Sequence, residues 1–446
     1  MTPNHSLDLS LQLQNLIRTD LLQQISMEFP FELIESNVNN NREGPKKRDR
    51  VFNEGNTLLT MLATAVNEDK SLKQSVNIFK EIFESRGEHI VKKEREELEN
   101  KRQTDITFDK KMGRPKLYQS QLPKSKTQPV SDNTAAYTKA RGRLEYSLVQ
   151  QVFDYSKDFT GIAQPLWHGM KAYNTDGTYC QMQDSEELRK KYYVKEGDGA
   201  YPQLLLQGIV QQGTGQIICF EVGTRHQSEL ELIAKQIGQL PKGSLLLADD
   251  LYNSYAIFAM IQRQGCHLIV PGKRDRAYKV IEKIAEGDEI VELSRNIPKW
   301  WQEDWELPQK LLMRRITFLS PADGETEWVQ YTTLLDKHIT KADIIAKYLT
   351  RWDIEITIRE IKTLMDINVI RSKSEDMVLK ELTIALTAYN MMRKIIAKSV
   401  EKTDIPPQEN IIQEFFEANK AVLIDKKGRI YNRWSPGRYG QAAQSN

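Results

Sequence analysis

Cysteine is nearly absent: Cys180, Cys219 and Cys266 are the only three in 446 residues, and none has metal-site spacing. That excludes a thiolate metal centre and fits buried thiols in a reducing compartment. No apolar run approaches about 18 residues, so nothing in the sequence reads as a membrane span. No charged N-terminal stretch leads into an apolar core, so no secretory signal is expected. The protein reads as soluble and cytoplasmic. Acidic residues are missing from Lys110 to Lys126, where Lys110, Lys111, Arg114, Lys116, Lys124 and Lys126 collect. The formal net charge of +2 hides this local imbalance. The stretch reads either as a solvated linker or as a phosphate-contacting arm, and Gly113-Arg114-Pro115 inside it also suits minor-groove insertion.

What is present divides the chain. Its length suits roughly two to four domains with at least one sizeable core. Leu58, Leu59, Leu62 and Val66 follow helical spacing, and Ser71 can cap a further helix with Leu72, Val76, Ile78 and Phe79. Asn133 or Thr134 can cap one more, with Tyr137, Ala140, Leu144 and Leu148 on its apolar face. Lys139, Arg141 and Arg143 lie on or beside the other face, which suits a helix-turn-helix DNA-binding region. After about residue 165 the pattern turns to strands, at 170–176, 203–210, 216–222, 244–248 and 266–270, with helices at 228–240 and 254–265. That order predicts an α/β fold, a mixed sheet with flanking helices. Residues 275–335 interrupt it with charged segments, a Trp-rich piece and two strand-like runs, 311–319 and 327–335.

The most informative segment follows. Tyr348, Arg351, Glu355 and Lys362 project at about 0°, −60°, −20° and −40° on one continuous helix. Ile345, Leu349, Trp352 and Ile356 flank this polar strip on one side, and Ile354, Ile358, Ile361 and Met365 on the other. Apolar stripes on both flanks predict a largely buried helix, where charged groups must be paired or bound to metal. One reading of the strip is intrahelical ion pairing, Arg351–Glu355 and Glu355–Arg359. The other is an active-site helix. Two predicted strands end in carboxylates, at Asp176 and Asp249, where an open sheet leaves room for a ligand. Strand-end turn chemistry accounts for either aspartate alone. With Glu355 they would form a cluster whose mutual repulsion a hard divalent cation relieves.

Tyr-x2-Arg-x3-Glu-x6-Lys at Tyr348, Arg351, Glu355 and Lys362 resembles the glutamate motif of bacterial insertion-sequence DDE transposases, the insertion sequence four family. Asp176-Gly177-Thr178 resembles the first aspartate motif, and Asp249 with Tyr252 the second. Arg371-Ser-Lys373 and Tyr389-Asn390 resemble the region after the glutamate. Asp250 stands where that family has a basic residue, so Asp249 and Asp250 compete for the second position; the aromatic spacing favours Asp249.

The resemblance implies a ribonuclease H-like catalytic core in two parts, 151–274 and 336–400, split by a β-rich insertion at 275–335. Residues 1–150 would be a helical DNA-binding region and 401–446 a basic tail. It implies two Mg2+ ions, replaceable by Mn2+, on Asp176, Asp249 and Glu355. Tyr348, Arg351 and Lys362 would contact DNA, and Arg359 is a further candidate. The DNA would be the terminal inverted repeats and a target duplex, bound by a homodimer in the bacterial nucleoid. Cleavage and end joining through a DNA hairpin would call on a stacking tryptophan: Trp300, Trp301, Trp305 or Trp328. Core packing explains each tryptophan equally well. A nuclease without strand transfer and a domesticated DNA-binding relative are the alternatives.

Overall fold

Short apolar runs punctuated by Gly and Asp build the centre of this protein. The computed structural model describes residues 24–40, 50–67, 69–82, 133–192, 200–272, 276–298, 301, 307–320 and 325–401. Side chains at 352, 353, 355, 356, 360, 363 and 364 fall outside that description. So do the Lys110–Lys126 arm, Trp300, Trp305 and the tail from residue 402. Leu22–Ile395 form one compact unit.

Among the described residues a helical stretch at 24–28 comes first, followed by α1 (Phe31–Asn40), α2 (Glu54–Ala65), α3 (72–82), α4 (Ala135–Arg143) and α5 (Tyr146–Ser156). Asn53 caps α2 by accepting from the Asn56 N–H, and Ser71 caps α3 by accepting from Gln74. The run carrying Tyr137, Ala140, Leu144 and Leu148 is predicted as one helix but folds as two. Leu144 adopts an extended conformation between α4 and α5 while its apolar face stays buried. The cap comes from Asn133, which accepts from the Ala135 N–H; Thr134 makes no side-chain cap.

The sheet follows: β1 (Ala172–Met182), β2 (Gln203–Gln211), β3 (Ile217–Gly223), β4 (Leu245–Leu247), β5 (His267–Pro271), β6 (Lys279–Ala285), β7 (Asp288–Ser294), β8 (Lys310–Leu319), β9 (Glu327–Thr332) and β10 (Val369–Ile370). Its order is β3-β2-β1-β4-β5-β9-β8-β7-β6, with β10 on β1. β1, β2 and β3 are antiparallel, while β4 runs parallel to β1 and β5 parallel to β4. This is the mixed sheet with flanking helices that the strand and helix order predicts. The strands of the Trp-rich region extend that same sheet, because β9 pairs antiparallel with β5. β6 and β7 lie in segments that read as merely charged. They form a hairpin through Glu286-Gly287, with Gly287 at φ +65°, where a Cβ would lie 2.6 Å from the Thr317 carbonyl.

Side chains alternate between two cores. Tyr173, Leu246 and Ala248 join one cluster with α7 (Glu229–Gln236) and α8 (Tyr255–Gln264); a short α6 (Glu186–Lys191) follows β1. Leu245, Leu247 and Ile269 join the other with Ile344 and Tyr348 of α9 (Lys341–Leu349). A sheet covered on both faces explains why β4 is uninterrupted leucine. After α9 come α10 (Asp353–Leu364) and α11 (Glu375–Glu401). Glu381 of α11 accepts from the Arg371 and Ser372 N–H groups, at 2.9 Å each. Buried Asn390 pairs with both backbone groups of Ile217, at 2.8 and 2.9 Å, fixing α11 against the start of β3.

Candidate active site

Strand register alone brings two carboxylates together. β1 and β4 pair in parallel over Ala172↔Leu245, Tyr173↔Leu246 and Asn174↔Leu247. Two residues further on each chain stand Asp176 and Asp249. Asp249 keeps an extended backbone (φ −80°, ψ −174°), so the alternation carries both aspartates to the face of Leu247 and Tyr348. β4 ends at Leu247, which leaves β1 without a strand partner on that side from Thr175 until β10 pairs at Gln181 and Met182. Asp176 is therefore not at a strand end, as the sequence suggests. β1 runs on to Met182 because β2 pairs with it as far as Gln181↔Gln203. The edge at Asp176 is made by the neighbour's termination.

Asp249 turns its carboxylate back to accept from the Leu251 N–H at 2.9 Å, capping a 3-10 turn, Asp250–Tyr252. Asp250 is exposed. The register places Asp249, not Asp250, next to Asp176.

Burial pushes the Asp176 carboxyl up to about 6, with the nearby Glu229 and Asp249 charges adding to the rise; the Gly177 N–H and Arg351 oppose it. Burial also raises Asp249, aided by Asp250, against the Leu251 N–H and Arg351. The Arg351 charge thus acts on both aspartates. The Arg351 guanidinium stands 6.0 Å from the Tyr348 ring centre, and burial raises the Tyr348 hydroxyl to about 12.

Arg351 does not sit on a continuous helix. α9 stops at Leu349, residues Thr350–Trp352 make a 3-10 turn, and α10 begins at Asp353. The four-residue strip expected on one helix is therefore broken between Tyr348 and Glu355. Gln212, in the β2–β3 turn, explains where the break is pinned. Its amide donates to Asn174 Oδ1 (3.0 Å) and Thr350 Oγ1 (3.1 Å), and it accepts from Lys347 Nζ (2.5 Å). Asn174 is two residues before Asp176, so this bridge ties the turn that carries Arg351 to the strand that carries Asp176.

Glu355 lies in α10, three residues after that turn, with its side chain outside the described residues. Lys362 is two helical turns further on. It sits near Cys180 of β1, whose thiol burial pushes up to about 11 while Lys362 opposes the rise. Arg359 is exposed. Lys139 and Arg143 are exposed on α4, whereas Arg141 lays its guanidinium over the Tyr137 ring at 5.7 Å. Trp301 packs against the α7–α8 core cluster, and Trp328 makes an edge contact with Phe318 at 5.9 Å.

One carboxylate at this site was not legible. Glu229 opens α7 from the opposite face of the sheet, and its charge acts on both Asp176 and Asp249. No motif marks it; in sequence it is an ordinary first-turn acid after a Ser228 cap.

A divalent cation suits this donor set. Adjacent carboxylates whose ionisation is disfavoured by burial and by each other are what a hard cation relieves. Among the described residues, no three carboxylate, imidazole or thiol side chains converge as a metal cage. A third ligand would have to come from a side chain such as that of Glu355.

A pH test follows for the metal-free protein. Asp176 has a folded value of about 6 against an ordinary 3.8, so the folded chain binds more protons between about pH 4 and pH 6. Stability from this group is present at low pH and lost as pH rises through about 6. Asp176→Asn should therefore unfold at higher denaturant than wild type at pH 7, and the gap should narrow as pH falls through 6 and close by about pH 4. Parallel curves at the two pH values would refute the buried-charge account.

Residues 167–391 match the family described as "Transposase DDE domain". The chain is 26% identical over 278 residues to "Transposase InsG for insertion sequence element IS4" of Escherichia coli (strain K12), covering 60% of this chain and 62% of that one. It is 26% identical over 157 residues to "Putative transposase InsZ" of the same organism, covering 33% of this chain and 52% of that one. The chain thus spans less than two thirds of either relative. A solved piggyBac transposase synaptic complex with hairpin DNA overlaps at TM-score 0.38 and 9% identity, over 89% of this chain and 84% of that chain. The insertion-sequence transposase resemblance read from Tyr348, Arg351, Glu355 and Lys362 holds.

Proposed function

The chain belongs to the transposase DDE domain family, and on that footing we propose that it is a DNA transposase with a ribonuclease H-like core. It binds the terminal inverted repeats of its own element, cuts them by phosphoryl transfer and joins the ends to target DNA. The observation that carries this reading is the juxtaposition of Asp176 and Asp249 where β4 ends beside β1, with the Arg351 charge acting on both. Asp176, Asp249 and Glu355 would hold two divalent cations, magnesium or manganese, which when bound supply activation of the attacking oxygen and stabilisation of the leaving one.

The chain's own groups supply the rest. Arg351 offers a planar fork to a phosphate next to the carboxylates, and Tyr348 limits its movement from below. Lys362 and Arg359, one to two turns further along α10, suit phosphates further along the strand. Lys139 and Arg143 on α4 are the proposed contacts of the N-terminal region, and paired ends would bring two copies together.

Excision through a hairpin end is the finer part of the proposal. The 3′-hydroxyl freed by the first nick attacks the phosphodiester of the opposite strand and displaces the 3′-oxygen of the flanking DNA, and an unpaired terminal base stacks on a tryptophan of the 275–335 region, worth about 1–3 kcal/mol.

End-labelled terminal DNA, incubated with the full chain and Mg2+, tests the scheme on denaturing gels. Nicks followed by hairpins are expected. Only open double-strand breaks, or nicks joined directly to target, would eliminate the hairpin. Cleavage without any joining would favour a nuclease. In parallel, Arg351→Ala and Lys362→Ala should each reduce the salt slope of end binding by about one. An unchanged slope with unchanged cleavage would return both residues to a structural role.

A further inference from the structure

Glu229 and Tyr252 join the two aspartate-bearing segments from the side of the sheet opposite the proposed metal site. The Tyr252 hydroxyl donates to Glu229 (Oη–Oε2 2.7 Å) and lies 3.0 Å from Gln207 Oε1. Gln207 Nε2 in turn donates to Thr175 Oγ1 at 2.6 Å, and Thr175 Oγ1 donates to the Gly208 carbonyl at 3.0 Å. Tyr252, Gln207 and Thr175 are fully or almost fully buried, so this network is shielded from water and each bond restrains its neighbours.

The network grips both sides of Asp176. Thr175 precedes it. Gly177 follows it, and its N–H donates to Asp176 Oδ1 at 2.8 Å and also supports the Glu229 carboxylate. Glu229 lies so close to Gly177 that a Cβ there would be 2.4 Å from Glu229 Cδ. A glycine inside a strand marks such a close approach, which gives Asp176-Gly177 a physical reason. On the other segment, Tyr252 closes the 3-10 turn that Asp249 caps. A single carboxylate therefore restrains the backbone on which each aspartate stands.

We propose that Glu229 is a positioning residue that, through Tyr252 and Gly177, holds Asp176 and Asp249 at the spacing a shared divalent cation needs. This rests on the reading of those aspartates as metal ligands. Glu229 is not itself assigned as a ligand, since among the described residues no third carboxylate converges with the pair. Partners behind metal ligands set ligand orientation, and losing one weakens metal binding by about 10–100-fold.

Mn2+ binding to the full-length chain without DNA, followed by calorimetry, provides a readout independent of cleavage. Glu229→Ala should weaken binding about tenfold. Glu229→Gln keeps an acceptor for Tyr252 and should stay within about threefold of wild type, with an unchanged melting temperature in metal-free buffer. Tyr252→Phe added to Glu229→Ala should cost nothing more, because both changes break one link. Gly177→Ala should weaken binding in wild type and have no further effect once Glu229→Ala has removed the obstructing carboxylate. Wild-type affinity in Glu229→Ala, or additive losses in either double variant, would overturn the proposal. So would a Glu229→Gln loss as deep as that of Asp176→Asn, which would make Glu229 a ligand. Asp176→Asn should abolish binding; if it binds Mn2+ normally, the metal-site reading fails independently of any Glu229 result.

Discussion

Asp176→Ala, Asp249→Ala and Glu355→Ala are each expected to lower terminal cleavage by three orders of magnitude or more while DNA binding survives. A thousandfold loss corresponds to about 4 kcal/mol of transition-state stabilisation. Removing one carboxylate from a shared cation site removes both a ligand and the charge balance of the remaining pair, so no variant should retain a graded fraction of activity. DNA binding should persist because the phosphate contacts are assigned to cations elsewhere, on the 3-10 turn, α10 and α4. Asp250→Ala is the internal control. Asp250 is exposed and one residue past the register position, so cleavage should stay within a few-fold. Quantitative end-cleavage assays beside gel-shift titrations separate the two effects. Near-normal cleavage by any one of the three would remove that residue from the site, and loss in Asp250→Ala equal to that of Asp249→Ala would reverse the choice between them.

Parts of this site were readable in sequence for a physical reason. Asp249 follows a run of leucines that only a doubly covered strand explains, and an aspartate at the end of such a run can only be at its exit. Tyr348, Arg351, Glu355 and Lys362 were readable as a group by their spacing, yet the inference used one continuous helix. The turn at Thr350–Trp352 is imposed by Gln212, some 138 residues away in sequence, through Asn174 and Thr350. A tertiary bond of that kind leaves no local trace. The same holds for Glu229, which meets Gly177 only because α7 packs across the sheet. β6 and β7 were missed although a signal existed. Glu286-Gly287 is a turn signal between two short apolar and charged runs, but the charges of the exposed edge strand β6 masked the pairing with the largely buried β7. Asp176 was placed at a strand end because Asp-Gly usually terminates a strand; here β2 continues the pairing past it.

Arg314→Ala should be among the most destabilising single changes in the protein. Arg314 is 1% exposed and makes a bidentate pair with Asp288, also buried, with contacts of 2.7 and 2.6 Å. Its remaining guanidinium nitrogen donates to the carbonyls of Asp336 and Ile339, at 3.0 and 2.8 Å. That loop leads directly into Thr340, whose capping box with Asp343 starts α9. Arg314 therefore ties the β7–β8 hairpin to the entry of the helix that carries Tyr348. Truncating it takes the guanidinium from a buried carboxylate, from the buried Ile339 carbonyl and from the part-buried Asp336 carbonyl. Breaking a buried pair from one side costs about 3–5 kcal/mol. The denaturant midpoint should fall accordingly, with a melting point lower by roughly 4–6 °C. Arg314→Lys keeps the charge but not the fork, so it should recover only part of the loss. Asp288→Leu combined with Arg314→Met removes both charges, leaves only the carbonyls unpaired, and should cost less than Arg314→Ala. An Arg314→Ala penalty under about 1 kcal/mol would show that water replaces the guanidinium there, and that α9 is held in place by its apolar face alone.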